Sequence, residues 1–121
     1  MNNSNETTIE FTVVNDEELQ VAHVLNYPNP FTTNTAFWFE HNQPGLDLSV
    51  KVEVFTVSGK LIKTLSQTIN TVGNRSSEVV WDGKDDFGNR IARGVYIYRL
   101  RIKAPNGRVA DKWERLVILG K

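Results

Sequence analysis

Apolar and polar residues alternate one by one along much of this chain, and that period of two constrains the fold more than any other feature. Ile9, Phe11 and Val13 alternate with Glu10 and Thr12, Phe37 and Phe39 with Trp38 and Glu40, and Leu48, Val50, Val52 and Val54 with Ser49, Lys51 and Glu53. Successive side chains of an extended strand point to opposite faces, so this spacing builds half-buried strands. The β-branched and aromatic residues that fill it suit a pleated surface. Further strands are predicted over residues 22–27, 61–69, 77–81, 95–104 and 109–119. No window carries the spacing of an amphipathic helix.

Turn residues separate these runs. Gln43-Pro44-Gly45 and Ser58-Gly59 each lie between two strands, and Pro105-Asn106-Gly107-Arg108 centres on Asn-Gly, the preferred pair of a type I′ hairpin turn. The last two strands should therefore pair as an antiparallel hairpin. About seven short strands without helices predict an all-β fold, an immunoglobulin-like antiparallel β-sandwich. At 121 residues the chain is long enough for one hydrophobic core without disulfide or metal. The polar, acidic stretch Asn15-Asp16-Glu17-Glu18-Leu19-Gln20 sets residues 1–19 apart from a sandwich over residues 20–121. Residues 1–19 are then either the end of a preceding domain plus a linker, or they contain the first strand of the same sandwich.

Charge and composition exclude several classes of function. The net charge is zero, but the first 50 residues hold seven acids and no Lys or Arg, and the rest hold all 14 basic residues against seven acids. Arg99, Arg101 and Lys103 share one side of a strand, yet an isoelectric point near 6.7 is not that of a nucleic-acid binder, so they are expected to form a solvated face. No run of 18 apolar residues is present, so no membrane-spanning helix and no direct membrane insertion are expected. Met1-Asn2-Asn3-Ser4-Asn5 lacks the basic and apolar regions of a secretory signal. The absence of Cys rules out thiol catalysis and Cys-based zinc sites. There is no nucleophile-elbow motif, and His23 and His41 have no partner identifiable from sequence.

The densest acidic segment, Trp81-Asp82-Gly83-Lys84-Asp85-Asp86-Phe87-Gly88-Asn89, fails as an EF-hand loop. Lys84, Phe87 and Arg93 occupy positions that need a ligand, a glycine and a bidentate glutamate. It reads instead as a pair of turns held by Asp and Asn side chains. Trp38, Trp81 and Trp113 are expected to pack in the core or at edges, the competing reading being a sugar-stacking platform. No catalytic residue, metal or cofactor is expected.

Three segments in order carry a family resemblance: Tyr27-Pro28-Asn29-Pro30-Phe31, then Val54-Phe55-Thr56-Val57-Ser58-Gly59-Lys60-Leu61, then the acidic segment leading into Gly94-Val95-Tyr96-Ile97-Tyr98-Arg99-Leu100. With the apolar ending Leu116-Val117-Ile118-Leu119, the chain resembles the C-terminal signal domains of proteins exported by the type IX secretion system of Bacteroidota; related sandwiches occur in flagellar hook-capping proteins. The resemblance implies a non-catalytic domain that carries cargo from the periplasm through the outer-membrane translocon to the cell surface. Its partners would be translocon proteins and an outer-membrane β-barrel shuttle. The family's recognition determinants lie toward the C-terminus and map by position onto Gly94, Val95, Tyr96, Lys112, Leu116, Val117, Ile118 and Leu119. Here Trp113 and Glu114 separate Lys112 from Arg115, which departs from the family's basic-then-aliphatic ending. The Asn-rich start, the segment at residues 9–14 and His41-Asn42-Gln43-Pro44-Gly45 further resemble the junction of the last two domains of the type IX sortase, a gingipain-like cysteine transpeptidase. A last strand at a sheet edge would be open to strand addition by a partner. The alternative functions are a carbohydrate-binding module and a hook-cap-like structural module.

Overall fold

The computed structural model describes residues 18–119, which form seven strands: β1 (Val21–Tyr27), β2 (Thr35–His41), β3 (Leu48–Thr56), β4 (Leu61–Ile69), β5 (Arg75–Trp81), β6 (Gly94–Lys103) and β7 (Val109–Ile118). They lie in two antiparallel sheets, ordered β1-β2-β5 and β4-β3-β6-β7. This is the β-sandwich that the period-two pattern predicts. The expected strand over residues 8–14 lies outside the described residues.

The inward residues are those of the alternation. Phe37 and Phe39 of β2, Val50, Val52 and Val54 of β3, and Tyr98, Leu100 and Ile102 of β6 are all buried. The Phe37 and Tyr98 rings meet edge to face across the sheets, 4.9 Å between centroids. Leu19 joins this core just before β1. The chain on either side of Leu19 is held by Asn42, whose Oδ1 accepts from the Gln20 N–H at 2.9 Å and whose Nδ2 donates to the Glu18 carbonyl at 2.8 Å.

Three of the connections reuse one turn. Gly59 N–H donates to the Thr56 carbonyl at 2.9 Å while Thr56 N–H donates to the Lys60 carbonyl at 2.9 Å. The same pair of bonds joins Ala104, Gly107 and Arg108 in the β6–β7 hairpin. Asp85, Gly88 and Asn89 repeat it in the long β5–β6 connection. In all three turns the glycine has positive φ, 98° at Gly59, 88° at Gly107 and 86° at Gly88. The type I′ turn expected at Asn106-Gly107 is therefore replaced by a type I turn with a glycine bulge. Type I′ needs positive φ at both central residues; Pro105 has its φ fixed negative by its ring, and Asn106 is not in the positive-φ region either.

Two buried polar side chains have contrasting surroundings. His41 is fully paired: its Nδ1 accepts from the Gln43 N–H at 3.1 Å, and its Nε2–H donates to Thr71 Oγ1 at 2.8 Å, which in turn donates to the Gly73 carbonyl. This is the neutral imidazole, and burial pushes its pKa below the usual histidine value. The unfolded chain therefore takes up the proton first, so stability is present above pH ~6.5 and is lost as pH falls below it. The urea midpoint should accordingly drop as the pH is lowered from about 7.5 to about 5.5, and His41→Gln should flatten that slope. An unchanged slope in the variant would assign the pH dependence to other groups.

Tyr98, in contrast, is fully buried with no hydrogen-bond partner for its hydroxyl among the described residues. Burial, and then the Glu114 carboxylate opposite it, raise its pKa well above the ordinary phenol value. An unmet buried hydroxyl costs roughly 1–3 kcal/mol, so Tyr98→Phe should raise stability by about 1 kcal/mol in urea unfolding. A loss of stability would reveal a partner for that hydroxyl.

Candidate functional site

Antiparallel pairing of β6 with β7 brings most of the expected recognition positions together. Gly94 lies opposite Ile118, Val95 opposite Val117, and Tyr96 opposite Leu116, while Lys112 lies farther along the ladder opposite Leu100. The strand period then divides them between two faces. Leu116, Ile118 and Tyr96 point into the core, whereas Val95, Val117 and Leu119 are on the surface. Lys112 is exposed.

Tyr96 has a structural role that sequence reading missed. Its hydroxyl donates to the Ala92 carbonyl at 2.6 Å, tying the start of β6 to the connection before it. This is the tyrosine corner found in many sandwiches of this type. Burial raises its pKa. The signal was a tyrosine two residues after Gly94, in a strand that follows a long connection. Gly94 itself has φ 151°, a backbone conformation that side chains other than glycine's rarely adopt.

Around Val95 and Val117 the outer face of the four-stranded sheet is apolar. Phe55 and Ile97 stand side by side in the ladder, Leu61 pairs with Phe55, and the Trp113 ring tilts against Phe55 at 5.6 Å. Trp113 is 52% exposed, Val95 47% and Leu61 45%, and exposed Arg115, opposite Ile97, stands between Trp113 and Val117 on the same face. Arg99 borders it, its guanidinium 5.5 Å from the Trp113 ring centre and bonded to the Glu53 carboxylate through Nε at 3.0 Å and through Nη2.

β7 is an edge strand, but its C-terminal part is covered. Residues 29–31 cross from the other sheet and lie parallel to it: Phe31 N–H donates to the Val117 carbonyl at 3.1 Å, and Leu119 N–H donates to the Phe31 carbonyl at 2.8 Å. The Asn29 side chain adds two bonds, accepting from the Val117 N–H at 2.9 Å and donating to the Arg115 carbonyl at 3.4 Å. The Phe31 ring is buried against Trp81 at 5.7 Å. Strand addition at residues 115–119, expected if the last strand lay open, is therefore blocked, because both main-chain groups of Val117 on that side are taken. The Tyr27-Pro28-Asn29-Pro30-Phe31 segment is this strap. In the sequence it stands out only as one of the segments that carry the family resemblance.

Other candidate groups serve the fold. Asp82 Oδ1 accepts from the Lys84 N–H at 3.0 Å, and Asp85 Oδ1 accepts from the N–H groups of Phe87 and Asn89, both at 2.9 Å. Asp86 reaches Lys63 Nζ at 3.5 Å and the Thr64 N–H at 3.3 Å. These are the turn bonds that the sequence suggested, and among the described residues no three His, Asp or Glu side chains cluster tightly enough to hold a metal ion. His23 sits in a β1 bulge with φ 54° and contacts Glu40 at 2.9 Å. The three tryptophans occupy three different places: Trp81 in the core, Trp38 half-buried on the outer face of the three-stranded sheet, and Trp113 on the opposite outer face. They form no common stacking platform.

No protein-family model matches the chain, and no curated protein matches it. Among solved structures, it is similar to dimeric latent PorU from Porphyromonas gingivalis, with 26% identity and a TM-score of 0.72 over 87% of this chain. The chain spans 10% of the length of PorU. CopC from Methylosinus trichosporium OB3b aligns at 10% identity and a TM-score of 0.47 over 81% of this chain and 95% of CopC. The PorU likeness supports a type IX secretion-related domain.

The strap yields a direct expectation. Asn29→Ala removes both side-chain bonds to β7 and should cost about 1–2 kcal/mol, with faster amide hydrogen exchange at Val117. Unchanged exchange at Val117 would mean that the main-chain bonds of Phe31 hold the strap alone.

Proposed function

We propose that this chain is a non-catalytic docking and targeting domain of the type IX secretion system. It directs its parent protein to the outer-membrane translocon and holds it at the β-barrel shuttle. The parent is the cell-surface sortase, with its cysteine chemistry in a domain upstream of this one. The domain is in the periplasm during transit and then at the outer membrane and cell surface.

The observation that carries this reading is the likeness to PorU, the type IX secretion sortase, over 87% of the chain. The geometry supports it in a second way. Six of the eight positions given by family resemblance form consecutive ladder pairs, and the exposed side chains among them join the apolar surface of Phe55, Ile97 and Trp113. An aromatic and aliphatic patch bordered by a charged arginine pair has the composition of an interface centre.

The test is to fuse the full chain to a periplasmic reporter in a type IX-competent cell. The reporter should reach the surface or co-purify with the shuttle barrel. Trp113→Ser combined with Val117→Ser should reduce that signal about tenfold or more, since truncating central interface residues typically costs upward of 2 kcal/mol. Both residues are on the outer face, and an unchanged melting temperature would establish that folding is intact. A reporter left free in the periplasm, with no shuttle contact, would sink the proposal.

A further inference from the structure

The N-terminal half of β7 is an open edge. Val117 turns its N–H and carbonyl away from β6 toward the strap, and by the period of two Trp113, Asp111 and Val109 turn theirs the same way. The strap reaches back no farther than Arg115, and β7 is the last strand of its sheet, so these groups have no strand beside them among the described residues. Trp113 and Val109 are exposed on the outer face, and Lys112 forms no ion pair among the described residues. An open edge with exposed apolar side chains invites strand addition.

We propose that residues 8–14 of this chain add to that edge as a further antiparallel strand of the larger sheet. They are then the first strand of the sandwich and not the end of a preceding domain. The side chains select the register. With Ile9 opposite Trp113, Phe11 opposite Asp111 and Val13 opposite Val109, the apolar residues of the segment continue the outer face beside Trp113 and Val109. Glu10 then falls opposite Lys112 and Thr12 opposite Ala110. Glu10 and Lys112 are a non-hydrogen-bonded pair, the kind whose side chains come closest. Moved two residues one way, Glu10 meets Glu114 and Ile9 meets Arg115, whose carbonyl already accepts from Asn29. Moved two residues the other way, Ile9 meets Asp111 and Val13 meets Gly107 in the turn. A shift of one residue turns the whole apolar set to the other face.

The connection is short enough for this arrangement. β1 leads into the strap beside the C-terminal half of β7, so its start at Val21 lies back toward the open half. Running antiparallel to β7, the segment ends beside Val109, where β1 begins. Asn42 fixes Glu18 and Gln20 at that end. The chain from Val14 to Glu18 reaches about 13 Å, more than the roughly 10 Å between two packed sheets. The added strand closes an edge that would otherwise pair with other chains, and it fixes the upstream polypeptide next to Trp113. The inference concerns this chain alone and does not rest on the type IX reading.

The chain has no cysteine, so engineered pairs read the register directly. In the full chain, Glu10→Cys with Lys112→Cys should form an intrachain disulfide under mild oxidation at least about fivefold faster than Glu10→Cys with Glu114→Cys. Opposite Cα atoms of a non-hydrogen-bonded pair are about 4.5 Å apart, within the range of a disulfide. Phe11→Pro removes a donor from the added ladder and should speed amide hydrogen exchange at Asp111 and Trp113 about tenfold or more. Exchange at Leu100, inside the sheet, should stay unchanged in that variant, which establishes that the domain is folded. Lys112→Glu should also speed exchange at Asp111 and Trp113, and adding Glu10→Lys should slow it again. Equal rates for the two cysteine pairs, a disulfide that joins two chains instead of one, or exchange at Asp111 and Trp113 indifferent to Phe11→Pro would each overturn the proposal.

Discussion

The strap at residues 29–31 is the contact on which the rest of the domain depends. A sandwich of one three-stranded and one four-stranded sheet is held face to face by side chains alone unless the backbone crosses between the layers. Phe31 makes that crossing: its N–H and carbonyl pair with Val117 and Leu119 of the last strand, while its ring is buried against Trp81. Gly83, in the turn after β5, sits where a Cβ would come 3.4 Å from the Phe31 ring, so the turn packs directly against it. Trp81 is fixed in turn by its indole N–H, which donates to the Lys84 carbonyl at 2.8 Å. The two most recognisable segments of the sequence, Tyr-Pro-Asn-Pro-Phe and Trp-Asp-Gly, are thus two sides of one contact.

Where two sheets faced each other, the sequence was easy to read. In β2 and β3 every second residue is buried, and the alternation Phe37, Phe39 and Val50, Val52, Val54 gives the core without ambiguity. In β7 the same reading breaks down. Lys112 and Glu114 share the inward register of Leu116 and Ile118, yet both are exposed, because the middle of this edge strand is not covered by the smaller sheet. A period-two pattern reports which way a side chain points and not whether anything lies above it. The strap was unreadable for a related reason. Its hydrogen bonds join residues 86–88 positions apart, and no local spacing encodes such a contact. The hairpin turn at Asn106-Gly107 shows a third limit, since the dipeptide signal was overridden by the proline one residue before it.

The split of charge along the sequence takes on a spatial meaning in the fold. Lys51, Arg99, Arg101, Lys103 and Arg115 gather on the outside of the four-stranded sheet, where Arg99 and Arg101 are tied to Glu53 and Asp111. The acids of the first half with described positions are dispersed: Glu40 lies between His23 and Arg75 on the other sheet, and Asp47 is bonded to Asn70. Exposed pairs such as that of Arg75 with Glu40, 3.6 Å apart, contribute little to stability. Their arrangement matters more for which surfaces attract which partners.

Under the proposed docking role, the covered edge also determines how a partner can read the last strand. An open terminal strand would offer main-chain hydrogen bonds, which any extended segment can match, and would make the domain prone to adding to other sheets. With β6 on one side and the strap on the other, the backbone around Val117 has nothing left to offer. In that role, recognition there comes from the side chains of Val95, Val117 and Leu119, held in a fixed pattern by the ladder beneath them. That pattern exists only when β6, β7 and the strap are assembled. Under the proposed docking role, a partner reading this surface therefore distinguishes the folded domain from an unfolded chain carrying the same residues.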